Sequence, residues 1–512
     1  MLLPIAATLL GGLTTASAET ILGVTIFSRH GDRTSKHYPD YTLTNLGAQQ
    51  NLQVGSYYRS RYLSPKSDKQ ILGISPDVYV PAQIFASAPD QQGLQNTATA
   101  FLQGLYPPLS TLNDQEAGEQ TLSNGTTLST PLNGYQYVTL HPESSDTVWI
   151  KGDGDCYKVE NIGFSPERMI NSTRPFYKKF ASALENVTDI DSDYLSYENA
   201  YDIYDLLNTA LIHNNSQSIR DAVSDADLLQ LRTLADSREF SRNWDDFTPL
   251  WSVTGRSLAG AISTRLNETI ATRGDSGKFS FMAGSYDAML QFFALYGLIN
   301  IESDFYGIPQ YASTMVFELF TERNTTVFPN SEDELRVRFL FRNSSDPTAE
   351  LRAFPLFGGT NVNDTGFTTT SLNRNLTSLP LTLPYSEFDH LIRLSAIDTI
   401  EQWCTSCSSQ NWYCAAFDYN QAPTSIKTEQ MSNAVAGVIG AMVALAAIGF
   451  VGASAFFVVR RRWAKAQAVT MEAAMEQKAL YETVSEIEMG VEMQTQTQMQ
   501  TGRVSVRSGQ QP

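Results

Sequence analysis

The chain has 512 residues, 42% of them hydrophobic and 18% charged, with a formal charge of −18. That length is enough for a substantial buried core, and the composition is that of an ordinary folded protein. The acidity disfavours nucleic acid and argues against a polyanion-binding surface, except where a few arginines are locally concentrated.

Residues 2–13 are apolar and uncharged, and Ala16-Ser17-Ala18 supplies a small-x-small cleavage pattern, so residues 1–18 read as a signal peptide. A short buried helix is the alternative. Residues 20–27 form an apolar run rich in β-branched side chains, which predicts a buried strand. Residues 44–63 have helical periodicity, and residues 113–130, rich in Asn, Ser, Thr and Gly, read as a surface loop. The pattern is mainly helical between about 165 and 266. A second buried strand is expected at 278–283, then a helix at 287–298 and strands at 313–320 and 335–341. Strand first, helices in the middle and strands behind predict an α/β sheet with a helical insertion.

Residues 421–433 read as a polar stalk, and residues 434–459 hold no charged residue over a length that crosses a ~30 Å hydrocarbon core. Arg460-Arg461-Arg462 follow at once, which sets the tail, residues 460–512, on the cytoplasmic side. That tail carries seven Lys/Arg and six Glu, so the acidity lies almost wholly before it. A cleaved lipid-anchor signal would end the chain, whereas about fifty residues follow here. The expected topology is single-pass type I, at the cell surface or on a vacuolar or endosomal membrane. Glycosylation sequons occur at Asn124, Asn171, Asn186, Asn214, Asn267, Asn324, Asn343, Asn363 and Asn375, none beyond Arg460. The four cysteines, Cys156, Cys404, Cys407 and Cys414, are all on the lumenal side. They predict two disulfides with three possible connectivities. Cys404-x-x-Cys407 also has the spacing of a zinc half-site or redox pair, but no histidine lies near it in sequence.

The first strand ends in Ser28-Arg29-His30-Gly31-Asp32-Arg33. Ligands of open α/β sheets bind at the carboxyl ends of strands, so His30 falls where chemistry is expected. Guanidinium forks match phosphate oxygens, and a neutral imidazole between them can attack phosphorus. Gly31 permits a sharp turn and close approach of a substrate. A surface Arg-His-Arg cluster making salt bridges is the alternative.

Three further elements follow in order, within about eighty residues. They are Leu43-Thr44-Asn45-Leu46-Gly47-Ala48-Gln49-Gln50, Arg59-Ser60-Arg61-Tyr62 and Phe101-Leu102-Gln103-Gly104-Leu105-Tyr106-Pro107-Pro108. The set resembles the acid phosphatase and phytase branch of the histidine phosphatase superfamily. The resemblance implies a doubly wound α/β sheet in residues 19–420, with a mainly helical insertion at roughly 110–275. It implies His30 as nucleophile, Arg29 and Arg33 as phosphate ligands, and Asp287 as the acid that protonates the leaving oxygen. Asp287 also suits a helix N-cap. No metal or cofactor is implied, and the expected partner is a phosphorylated small molecule. Because Asp287 must be protonated in the first step, an acidic optimum is expected.

Two positions depart from the pattern. The family's third phosphate-binding arginine falls on Gly93, and no Arg or Lys occurs between Lys69 and Lys151. The histidine of the family's His-Asp pair is replaced by Tyr286, an auxiliary candidate whose phenol can donate a hydrogen bond but brings no charge. Arg59, Arg61 or a distant lysine are the candidates to compensate. The remaining histidines, His37, His141, His213 and His390, form no metal-ligand spacing. Two readings result: a metal-independent phosphomonoester hydrolase working through phosphohistidine at His30, or a catalytically weak or inactive surface glycoprotein that binds ligands with the same fold.

Overall fold

The computed structural model describes residues 19–112, 119–143, 149–154, 156, 167–185, 187–214, 217–245, 252–358, 360–362, 368–370 and 379–417. The chain divides into two units, 1–418 and 419–512, and every described residue lies in the first. The expected signal peptide, stalk, membrane span and tail lie outside the described residues, as do Asn186, Asn363 and Asn375. Among the described residues no helix is long and apolar enough to cross a membrane.

The first strand, β1 (Thr20–Arg29), is buried from Ile21 onward. Strands sandwiched between two layers read as continuous apolar runs. From Val24 onward alternation decides which layer each side chain enters, and an irregularity between Ile21 and Gly23 shifts the faces before it. Val24 and Ile26 join a core with Val54 and Phe101 of helices α1 (Asn45–Tyr58) and α2 (Gln92–Leu105). Leu22 and Phe27 join the opposite core, with Leu258 and Ile262 of a helix described below. Burying each such side chain stabilises by about 1.5–3 kcal/mol, so a one-residue slip that exchanged the two faces would be heavily penalised.

The sheet runs out from β1 in two directions. On one side lie, in order, β4 (Phe279–Gly284), β2 (Ile84–Pro89) and the edge strand β3 (His141–Glu143), each parallel to its neighbour. On the other side lie β5 (Thr314–Thr321), β6 (Arg336–Arg342) and β8 (Thr382–Pro384), all antiparallel, with β7 (Arg352–Phe354) also paired to β6. The sheet is therefore mixed, and β1 lies at the boundary between its parallel and antiparallel halves.

Helices Glu167–Tyr177, α3 (Ala200–His213) and α4 (Asp225–Asn243) build a separate core around Tyr177, Phe180, Ile203, Leu206 and Leu231. Two elements inside the expected insertion belong to the sheet layers instead: strand β3, and helix α5 (Val253–Ala271), which supplies Leu258 and Ile262. Helix α6 (Tyr286–Leu295) follows β4 and packs on the same face as α5. Of the three possible disulfide connectivities, the structure has Cys156–Cys407 and Cys404–Cys414, gathered around buried Trp403. Asn124, Asn171, Asn214 and Asn324 are exposed. Asn267 and Asn343 are partly buried, and their side-chain oxygens accept hydrogen bonds from the Tyr385 hydroxyl and the Gln310 amide.

Candidate active site

The turn leaving β1 is fixed by its neighbours on both sides. The His30 amide donates to the Gly284 carbonyl at the end of β4 (3.0 Å), and the Arg29 amide donates to Ser313 just before β5 (2.9 Å). The His30 carbonyl accepts from the Ala312 amide. From the other side the turn is held by the start of α1. Thr44 caps that helix by accepting from the Gly47 amide, and also donates to the Asp32 carboxylate. Gln50 accepts the Asp32 amide hydrogen at 2.8 Å. A Cβ on Gly31 would lie 2.5 Å from the Gly47 carbonyl, and one on Gly47 would strike the Asp32 backbone. Gly31 has an ordinary negative φ, so its requirement is close contact with α1 rather than an unusual turn.

The chemistry is concentrated in five residues. His30 is 2% exposed, Arg29 4% and Arg33 1%. His30 Nδ1 lies 2.9 Å from the Gly31 carbonyl, an oxygen that can only accept, so Nδ1 carries the hydrogen. Burial, and after it the charges of Arg29, Arg33 and Lys36, holds the imidazole well below its ordinary pKa of 6.5. The ring is therefore neutral with its lone pair on Nε2, which has no hydrogen-bond partner among the described residues. Neither do Arg29 Nε and Arg33 Nε. Buried polar groups are normally satisfied. This one turn leaves two arginine donors, the His30 lone pair and Asp32 Oδ1 without partners among the described residues, and the two donors are of the kind that bind phosphate oxygens.

Helix α3 closes over this turn. Asp205, 2% exposed, receives both terminal nitrogens of Arg33 at 3.0 Å, together with the Ser35 hydroxyl and the Lys36 amide at 2.8 Å. The Tyr201 hydroxyl accepts from Arg33 at 2.6 Å. Two histidines latch the same helix to the same loop: His37 to Asp202 (2.8 Å) and His213 to Asp32 (2.6 Å). Burial pulls the His37 imidazole down, but its bonds to Asp202 and the Thr188 carbonyl outweigh that and raise its pKa. Tyr311 stacks under Arg29, 4.4 Å from ring centre to guanidinium carbon, and its ring lies 5.7 Å from that of His30. A cavity of about 320 Å3 opens beside Arg29, with Tyr201, Asn208, Arg232, Gln310 and Tyr311 in its wall.

At the end of β4 the two remaining expected residues part company. Asp287 lies in the first turn of α6 and accepts from Ser285 Oγ at 2.9 Å. Ser285, not Asp287, is the N-cap, so helix capping does not account for Asp287. Tyr286 is 3% exposed, and its hydroxyl donates to Glu239 Oε2 of α4 at 2.8 Å, which turns the phenol away from phosphate donation. Burial pushes the Glu239 carboxyl up, helped by Asp287. What Tyr286 offers the site is its ring face, with Arg29 5.1 Å and Lys36 4.9 Å from the centroid.

Neither of the two arginines expected to compensate at Gly93 reaches this place. Arg59 is tied to Asp77 and to the Pro76 and Leu105 carbonyls, and Arg61 to Glu318. Glu318 pairs with Val24 in mid-strand, well before the Arg29 end of β1. Gly93 lies in the first turn of α2, where a Cβ would touch the Tyr41 ring at 3.4 Å. The residues that sequence reasoning missed are Asp205, Tyr201, Tyr311 and Lys36. Only Lys36 carried a local signal, as a third cation seven residues from Arg29.

A sequence profile described as the histidine phosphatase superfamily (branch 2) matches residues 37–342, beginning just past the Arg29–Arg33 turn. The chain belongs to that superfamily, whose class is phosphatase. No curated protein matches it. Similar solved structures include the phytase of Klebsiella sp. ASR1, at 12% identity and TM-score 0.46, covering 74% of this chain and 96% of that one. The phytase of D. castellii is 13% identical with TM-score 0.43, over 80% of this chain and 87% of that one. A Bifidobacterium longum multiple inositol polyphosphate phosphatase is 12% identical with TM-score 0.42, over 69% of this chain and 90% of that one.

Proposed function

We propose that the chain hydrolyses phosphomonoesters in two steps through a phosphohistidine at His30. The observation that carries this reading is the neutral His30, whose Nε2 has no partner among the described residues, flanked in sequence by Arg29 and Arg33, whose Nε atoms likewise have none. In the first step Nε2 attacks phosphorus, the bond from phosphorus to the ester oxygen breaks, and Asp287 gives its proton to that oxygen. In the second, water attacks phosphorus, the P–N bond breaks, and the Asp287 carboxylate takes the water proton. Inorganic phosphate leaves and His30 is again neutral. Arg29 and Arg33 offset the charge on the transferring group. The depressed imidazole pKa supports operation in acid, where an ordinary histidine would be protonated and unable to attack.

The test is hydrolysis of 4-nitrophenyl phosphate by the purified full-length chain, with chelator present, beside His30→Ala. Turnover that survives chelation and vanishes in the variant is expected. Residual turnover in His30→Ala above background contradicts the mechanism.

A second reading, a phosphatase fold used for binding, is favoured by two observations. Both terminal nitrogens of Arg33 are engaged by Asp205, and the Tyr286 hydroxyl is engaged by Glu239. Phosphate binding without turnover in a folded protein would select it. In either case we read the chain as anchored by residues 434–459 with residues 19–420 lumenal. Endoglycosidase treatment of the cell-expressed protein should then raise its mobility, and an unchanged mobility would count against that orientation.

A further inference from the structure

We propose that Lys36 is the third cationic contact for the transferred phosphate, standing in for the arginine absent at Gly93 and the histidine replaced by Tyr286. The proposal rests on the hydrolase reading for its substrate class, a phosphate monoester group, but not for its geometry.

Three placements carry it. The Lys36 ammonium faces the rings of Tyr41, Tyr201 and Tyr286 at 5.8, 5.8 and 4.9 Å. The Tyr41 ring is the group a side chain at Gly93 would meet, and Arg33 lies over that same ring at 5.4 Å. Tyr286 occupies the lost histidine's position, and Arg29 lies over its ring as well. Lys36 therefore shares one ring with each arginine of the turn, next to both of the positions that lost a cation.

The ammonium is also uncommitted. Its backbone is pinned by Asp205, yet among the described residues Nζ makes no hydrogen bond and no ion pair. Tyrosine faces attract a cation without consuming its hydrogens, so all three N–H groups remain for an oxyanion. Lys36 is half-buried as a residue, so its ammonium is partly withdrawn from water and an anion would complete its hydrogen bonding. The charged groups acting on it are Asp287 and Asp205, which favour the cation, and Arg33 and Arg29, which oppose it. Burial outweighs them all and brings its pKa down to about 8. Lys36 is thus charged through the acid and neutral range and loses its charge as pH rises past about 8.

The experiment measures the dissociation constant of inorganic phosphate by calorimetry, for the full-length chain, Lys36→Met and Lys36→Arg. Measurements are made at pH 7.5 and 9.5. Phosphate is mainly but not wholly dianionic at the first and dianionic at the second, so the change seen in Lys36→Met over the same interval is subtracted as the contribution of phosphate's own titration. Hydrolysis of 4-nitrophenyl phosphate is followed in parallel. Loss of one charged contact predicts affinity about 10- to 100-fold weaker in Lys36→Met at pH 7.5, with Lys36→Arg close to wild type. The wild type should weaken by a similar factor at pH 9.5, whereas Lys36→Met and Lys36→Arg should change little. The arginine variant, which keeps the charge, separates phosphate contact from mere folding. Equal affinity in Lys36→Met and wild type overturns the proposal, as does a wild type that binds no phosphate. A Lys36-dependent affinity with no turnover by wild type upholds the contact and overturns the hydrolase reading. Normal turnover with Lys36-independent binding does the reverse.

Discussion

Replacing Asp205 by Asn tests how the helical part of the molecule governs the site. Asp205 and Arg33 are 2% and 1% exposed, with nitrogen–oxygen distances of 3.0 Å on both arms. At about 4 Å between charge centres and an effective dielectric of ~20, their attraction is about 4 kcal/mol. Removing one member of a buried pair leaves the other uncompensated and costs about 3–5 kcal/mol. The two arguments agree, and the Ser35 and Lys36 bonds to the same carboxylate are weakened as well. Denaturant unfolding of the full-length chain, followed by tryptophan fluorescence, reads the loss. Asp193→Asn is the control, because its pair with Arg174 is mostly exposed and is worth less than about 1 kcal/mol. Millimolar phosphate should restore part of the stability of Asp205→Asn, since an anion bound to the freed Arg33 stabilises the folded state. A loss in Asp205→Asn no larger than in Asp193→Asn would refute the reasoning.

The His37–Asp202 latch predicts a pH dependence with a definite sign. The folded His37 pKa is raised above its ordinary 6.5, so its contribution is fully present below about 6.5 and is lost as pH rises through the folded value. The thermal midpoint should fall over that interval in wild type more than in His37→Gln, and parallel curves would remove the latch from the account. Gly31→Ala forces a methyl against the Gly47 backbone and should destabilise by about 1–3 kcal/mol, the range of overpacking. A denaturation midpoint equal to wild type would show that the turn and α1 are not in firm contact.

What the sequence made legible is what lies close together along the chain. The β1 run announced a buried strand, because burial acts within a few consecutive residues, and the segment from Arg29 to Arg33 is buried in one turn at the end of that strand. The mixed sheet was not legible, since nothing in the 314–321 segment tells it to run antiparallel to β1. Asp205, Tyr201 and Tyr311 were hidden because they come from segments 168 to 282 residues away from the turn they complete, with no local motif. The Gly31–Gly47 contact explains a spacing that sequence alone showed only as a pattern: the glycines are where α1 touches the turn. Asp287 is the instructive case. Its type suited a cap, but the chain places Ser285 there, and the carboxylate is left at the end of the strand next to β1.

A phosphohistidine at His30 can be trapped chemically. The full-length chain would be mixed with a radiolabelled phosphomonoester, quenched in alkali within milliseconds, digested and mapped by mass spectrometry. The account predicts an acid-labile, alkali-stable phosphoryl group on His30, absent from His30→Ala and accumulating when Asp287 is replaced by Asn and an activated aryl phosphate is supplied. Turnover without any label on His30, or label on another residue, would contradict it.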